Sequence, residues 1–199
     1  MAKSSKLSNV KYIGVLNLQG AVSEHILMLN SIDNVQATLV QKPEQLANLD
    51  GLIIPGGEST TISRLIKQNG LLAPIQQFAK QGKGILGTCA GLVLCGKTTT
   101  HNEVELLDLM DICVERNGFG RQINSFETTL DIPTIGEQIP AVFIRAPYIA
   151  KAGEQVNQLA FIDNHCVMAQ QDNILTCSFH PELTVDNRIM SYFVEKCCN

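Results

Sequence analysis

The chain has 199 residues and a formal charge of −4, from 15 Lys and Arg against 19 Asp and Glu. One domain of ordinary size fits that length, and a 45% hydrophobic content can build a core without disulfide or metal staples. The basic residues are scattered rather than clustered, which argues against nucleic acid and leaves a small polar metabolite or another protein as partner. The seven cysteines are odd in number and include no C-x-x-C, so neither a paired framework nor a zinc ribbon is expected. They read as reduced thiols, most of them small buried hydrophobes. Residues 1–9 form a polar extension without the apolar core of a signal peptide, and residues 10–199 read as a single domain. No apolar run reaches the length of a membrane span, and a cytoplasmic protein is expected.

Taken in order, Tyr12 to Leu18 is a short apolar run that predicts a buried strand. A Gln19-Gly20 turn leads into a helix over Val22 to Leu29. Ala37 to Val40 predicts a second strand, and Pro43 to Leu49 a short helix with proline in its first turn. Gly51 to Ile54 is a third strand, stopped by Pro55-Gly56-Gly57. Ser59 is the expected N-cap of a helix that carries Ile62, Leu65 and Ile66 and ends at Gly70. Pro74 opens another helix, and Gly84 to Thr88 is a fourth strand running straight into Cys89. Strands alternating with helices predict an α/β fold with a mostly parallel, doubly wound sheet flanked by helices.

The second half changes character. Ile112 to Glu115, Phe126 to Ile132, Ala141 to Arg145, Gln158 to Phe161, Cys166 to Gln170 and Ile174 to Ser178 follow one another without helices between them. They predict antiparallel additions to the sheet. Asn187 to Cys198 closes the chain as an amphipathic helix, with Ile189, Phe193 and Cys197 at i, i+4 and i+8. A frayed end there would open Cys197 and Cys198 to oxidation.

Chemistry centres on Gly87-Thr88-Cys89-Ala90-Gly91, a G-x-C-x-G pattern between a strand and a helix. A sharp strand-to-helix turn crowds the backbone, and glycines on either side have no side chain to clash. The turn lifts the sulfur above the carboxyl ends of the strands, where open α/β sheets bind ligands. It also sets the sulfur at a helix N-terminus, where the partial positive charge of backbone N–H groups suits an anion. Alone, the pattern is also compatible with a buried cysteine in a Gly-rich turn. A nucleophilic thiol needs a base, and the base an orienting group. Of the four histidines, His101 and His165 read as loop residues, and His25 lies on an early helix beside Glu24. His180 ends a strand and is followed by Pro181 and Glu182. Proline biases His180 toward extended backbone, in which i and i+2 share a side, so His180 and Glu182 are expected to hydrogen-bond. The alternative for His-Pro-Glu by itself is a turn with a surface ion pair. Pro55-Gly56-Gly57-Glu58-Ser59-Thr60 is a second strand-to-helix loop whose backbone N–H groups, with that of Ala90, can hold an oxyanion. Arg116 and Arg145 suit capture of a carboxylate, while either one alone is equally compatible with a surface ion pair.

These residues, together with Leu18-Gln19-Gly20-Ala21, Glu115-Arg116-Asn117, Phe119-Gly120-Arg121-Gln122 and Ile144-Arg145-Ala146-Pro147, resemble the class I (triad) glutamine amidotransferases. Within that family the chain is most similar to the branch of glutaminase subunits of pyridoxal 5′-phosphate synthases, from about Val10 to Val194. The resemblance implies a single-domain, flavodoxin-like amidotransferase fold and hydrolysis of L-glutamine to L-glutamate and ammonia through a Cys89 thioester. It implies Cys89 as nucleophile, His180 as base and Glu182 as its orienting group. Gly57, Glu58, Ser59, Arg116, Ile144 and Arg145 take glutamine-binding positions, and Gly57 and Ala90 the oxyanion hole. It further implies a separate synthase subunit that receives the ammonia for vitamin B6 synthesis, with Gln19 and His25 as candidates at that interface, and no cofactor or metal. Two other readings stand beside it: a non-catalytic scaffold on the same fold, which loss of a triad member would favour, and a cysteine peptidase, which cleavage of a peptide would favour.

Overall fold

The computed structural model describes residues 10–101, 104–116, 118–119 and 125–198. The extension at 1–9, and the motif positions 117 and 120–122, lie outside the described residues. The first half is a run of strands and helices: β1 (Lys11–Leu16), α1 (Val22–Leu29), β2 (Val35–Val40), β3 (Gly51–Ile54), α2 (Ser59–Gln68), α3 (Leu72–Lys80), β4 (Gly84–Thr88) and α4 (Ala90–Cys95). The second is strand-rich: β5 (Gly96–Thr99), β6 (Met110–Glu115), β7 (Ser125–Ile132), β8 (Gly136–Ile144), β9 (Tyr148–Ala152), β10 (Asn157–Ile162), β11 (His165–Gln171) and β12 (Ile174–Cys177), before α5 (Arg188–Cys197).

The main sheet runs β2-β1-β3-β4-β12-β11-β9-β6-β5, with β10 on β11. From β2 to β12 every pairing is parallel. Beyond β12 the sheet turns antiparallel through β11, β9 and β6, and β5 adds to β6 in parallel. The α/β fold with antiparallel additions is therefore as the sequence predicts, with one correction. β7 and β8 do not join the sheet; they pair with each other as a separate antiparallel hairpin. His180 N–H donates to the Val142 carbonyl at 2.8 Å, which moors this hairpin beside the end of β12.

Alternating side chains divide the core between the two sheet faces. Leu52, Ile54 and Ile85 pack with α2, α3 and α4 on one face, while Ile53 and Leu86 pack with α1 and α5 on the other. Both clusters are buried, so the central strands read as continuous apolar runs. Cys197 and Cys198, expected at a frayed end, are buried at the end of α5, 0% and 2% exposed. Burial pushes the Cys197 thiol up to about 11 and Cys198 higher still.

Three local expectations change in detail. Glu58 rather than Ser59 caps α2, accepting from the N–H groups of Thr60 at 3.1 Å and Thr61 at 2.7 Å. Pro74 sits inside α3, not at its opening, where its missing N–H falls among donors that have no intrahelical acceptor. The segment after Pro43 is one short 3-10 turn, Pro43–Leu46.

Candidate active site

Strand β4 delivers Cys89 to the N-cap of α4 with φ 50° and ψ −103°, a left-handed conformation that costs energy for any side-chain-bearing residue. The turn is held by the Cys89 N–H on the Cys177 carbonyl at 2.8 Å, across the β4–β12 pair. Gly91 makes the turn possible, because a Cβ there would collide with the Ile54 carbonyl oxygen. The sulfur faces the Ile144 carbonyl at 3.8 Å, under the end of β8.

Directly after β12 the chain enters a 3-10 turn, Pro181–Leu183, with Pro181 in its first position. His180 has φ −107° and ψ 85°, and its Nδ1 lies 2.7 Å from Oε1 of Glu182. The pair expected from the sequence thus forms, but by a turn rather than an extended strand. Nε2 is left free, and the His180 ring and Cys89 both border Gly56. Burial works against a charged ring here. Hydrogen bonds and charge from Cys89 and Glu182 outweigh it and push His180 up to about 10. His180 and Glu182 are both buried, at 7% and 6% exposure. The close approach of His180 is permitted by Gly56, whose Cβ would strike the ring at Cε1.

A cleft of about 540 Å³ opens over the sulfur, large enough for a small metabolite. Gly57, Glu58, Ser59, Arg116, Ile144 and Arg145, the expected substrate positions, all line it, as do Gln19, Ala90 and His180. Sequence reasoning missed Val93 and Pro147, which also line it. The loop between β3 and α2 is tightly held. The Gly56 carbonyl accepts from Ala21 N–H at 3.1 Å, and the Gly56 N–H donates to Thr88 Oγ1 at 3.1 Å. The Gln19 side-chain oxygen accepts from the Glu58 N–H at 2.8 Å. Arg116 lies 3.6 Å from the Glu58 carboxylate. Arg145 has φ 44°, so the end of β8 turns sharply just where it overhangs the sulfur.

His25, expected beside Gln19 at a partner surface, is instead wholly buried at 0% exposure. Its Nε2 lies 3.2 Å from Thr88 Oγ1 and 3.5 Å from Oε2 of Glu182, behind the triad. The signal was present in the sequence: Met28 and Leu29, at i+3 and i+4 from His25, mark the buried face of α1. His101 and His165 stay away from the cleft. One is exposed near Glu115, and the other stacks on Tyr148 at 4.0 Å. Among the described residues no cluster of three or more His, Cys, Asp or Glu is placed to hold a metal ion, and no helix is long and apolar enough to cross a membrane.

A parallel α/β sheet that presents a cysteine on a strand-to-helix elbow, opposed by a His–Glu pair, is the arrangement expected of a triad-class glutamine amidotransferase. A model of the SNO glutamine amidotransferase family matches residues 15–199. The chain belongs to that family. It is 52% identical over 187 residues to a protein of Pasteurella multocida (strain Pm70) named pyridoxal 5′-phosphate synthase subunit PdxT, covering 94% of this chain and 96% of that one. A protein of the same name from Geobacillus kaustophilus (strain HTA426) is 53% identical over 182 residues, covering 92% of each chain. A solved structure described as a glutamine amidotransferase superposes with a TM-score of 0.89 at 40% identity, covering 93% of this chain and 98% of that one.

Proposed function

We propose that this chain is the glutaminase subunit of a pyridoxal 5′-phosphate synthase, hydrolysing L-glutamine and handing ammonia to a separate synthase subunit. The observation that carries the chemistry is His180, held by Glu182 at 2.7 Å and sharing the cleft with Cys89 beside Gly56. The assignment to vitamin B6 synthesis rests on the name borne by relatives about half identical over nearly the whole chain.

In this reading Cys89 Sγ attacks the side-chain amide carbon of glutamine as His180 holds the thiol proton. Carbonyl electrons move onto oxygen, toward the N–H groups of Gly57 and Ala90. Ala90 heads α4, where first-turn donors have no intrahelical acceptor. His180 then gives its proton to the departing nitrogen, which leaves as ammonia with a thioester on Cys89. Water, deprotonated by the now neutral His180, attacks the thioester; glutamate departs and the thiol is restored. Glu182 stays ionised and keeps the imidazole oriented. Arg116 and Arg145 hold the α-carboxylate of glutamine, a group that suits a guanidinium fork. Gly57, Glu58, Ser59 and Ile144 shape the rest of the glutamine pocket. Gln19, exposed at the rim and braced on the loop at Glu58, is the candidate contact through which the synthase adjusts that loop. Seven unpaired cysteines suit a reducing cytoplasm.

The test is glutamate release from glutamine by the purified chain, alone and with its synthase subunit, with Cys89→Ala as control. Release that is stimulated by the synthase and lost in the variant supports the reading. No glutamate in either condition, with both proteins folded, overturns it.

A further inference from the structure

Glu182 has two carboxylate oxygens, and only one is accounted for by His180. Oε2 points the other way, is buried, and has no hydrogen bond within ordinary distance. A buried carboxylate oxygen without a partner is costly, and it calls for an explanation. On that side Nε2 of His25 lies 3.5 Å away. That same nitrogen lies 3.2 Å from Thr88 Oγ1, which accepts the Gly56 N–H at 3.1 Å. One ring therefore meets the triad carboxylate, the residue before the nucleophile, and the loop that carries the oxyanion donors.

The protonation of His25 follows from its surroundings. Burial pushes its ring toward the neutral form; the Glu182 and Glu24 carboxylates oppose this, and the His180 charge adds to it. Of the two neutral tautomers, a lone pair on Nε2 would face the Glu182 carboxylate and be repelled. With the proton on Nε2 instead, the ring turns a donor toward both Glu182 Oε2, 3.5 Å away, and Thr88 Oγ1. Nδ1 then carries the lone pair, and it has no partner, which costs less for a lone acceptor than for a buried N–H.

We infer that His25 is a positioning residue of the triad: from α1 it holds Oε2 of Glu182 by its Nε2–H, so that Oε1 stays on His180, and through Thr88 it couples that hold to the Gly56-Gly57 loop. The role rests on the glutaminase reading above, because it acts only through Glu182 and His180. Without the hold, the carboxylate is free to rotate off the imidazole while the imidazole is charged. The 3.5 Å contact is long, and a small turn of either side chain closes it as charge builds on His180.

The test compares His25→Gln with His25→Met in the complex with the synthase. The two side chains are close in size, and the Gln amide nitrogen reaches the position of Nε2. His25→Met is expected to lower kcat for glutamate release by about ten- to a hundredfold, with KM within about threefold of wild type. His25→Gln is expected to keep kcat within about threefold. Alkylation of Cys89 by iodoacetamide, followed against pH, gives a readout independent of turnover. In His25→Met its upper limb moves to lower pH as His180 loses support from Glu182, and in His25→Gln it stays in place. A folded Met variant with wild-type kcat and alkylation profile would overturn the role, as would equal losses in folded Met and Gln variants. If the Met variant does not fold, His25→Asn replaces it. Its amide reaches the Nδ1 position instead, so it should lose activity where Gln retains it, and equal activities overturn the role. If wild type releases no glutamate the proposed function fails, while the alkylation profiles still decide what His25 does.

Discussion

Nδ1 of His180 and Oε1 of Glu182 lie 2.7 Å apart on a single 3-10 turn, so base and orienting group are set by one local conformation. The carboxylate fixes a ring proton on Nδ1 and leaves Nε2 to hold or return the proton of the thiol. Glu182→Gln keeps the shape but presents an amide N–H that invites the opposite tautomer. The expected loss in kcat is about a thousand- to ten-thousandfold. His180, held up to about 10 in part by Glu182, should also titrate lower in the variant. The ring nitrogen chemical shifts against pH check this, and an unchanged midpoint would sink it.

Glu58 offers a test of stability against pH. Burial alone would raise its carboxyl, but the hydroxyls and N–H groups of Thr60 and Thr61 win and hold it down to about 2. A carboxyl depressed on folding stabilises the protein above the ordinary carboxylate range, and the benefit disappears as pH falls toward 2. Glu58→Gln keeps a weaker cap and should cost about 1 kcal/mol at neutral pH. Thermal unfolding of both proteins should show the gap narrowing between about pH 4.5 and pH 2. A gap that stays constant with pH would refute the capping role.

Gly56→Ala tests the packing of the loop against the base. Its Cβ would strike His180 Cε1 and stand 3.2 Å from the Cys89 Cβ. A destabilisation of about 1–3 kcal/mol is expected from overpacking, read as a lower urea midpoint. Glutamate release should fall well beyond what that loss of folded protein explains, because the ring is displaced from the thiol.

Arg116→Leu separates binding from chemistry. If Arg116 grips the α-carboxylate of glutamine equally in ground and transition states, KM rises by about ten- to a hundredfold and kcat is nearly unchanged. A fall in kcat at constant KM would place Arg116 elsewhere in the reaction.

The legible part of the fold was the part whose signal is local. β3, β4 and α1 have the bounds their apolar runs and flanking glycines predict. β5 and β9 escaped because Gly96-Lys97-Thr98-Thr99 and Tyr148 to Ala152 are short and mixed; β5 exists as a strand through pairing with β6, and β9 through pairing with β6 and β11. No pattern within Ser125–Ile144 says whether a hairpin joins the main sheet or stands apart. The three residues proposed as the triad stood out because each carries a motif: a glycine-flanked thiol, and a histidine two residues before a glutamate. Thr88 carries none, and His25 only the sign of a buried helix face in Met28 and Leu29; Thr88 Oγ1 has meaning only when Gly56 is beside it in space.

The adjacency of β4 and β12 in the sheet has a consequence for the timing of activity. Thr88 pairs with Cys177, so the thiol and its base arrive on strands that are neighbours in space but far apart along the chain. During synthesis the nucleophile emerges long before the histidine that would arm it. On the proposed mechanism, a nascent or broken chain in which β12 has not yet slotted in beside β4 would carry an inert thiol and could not squander glutamine.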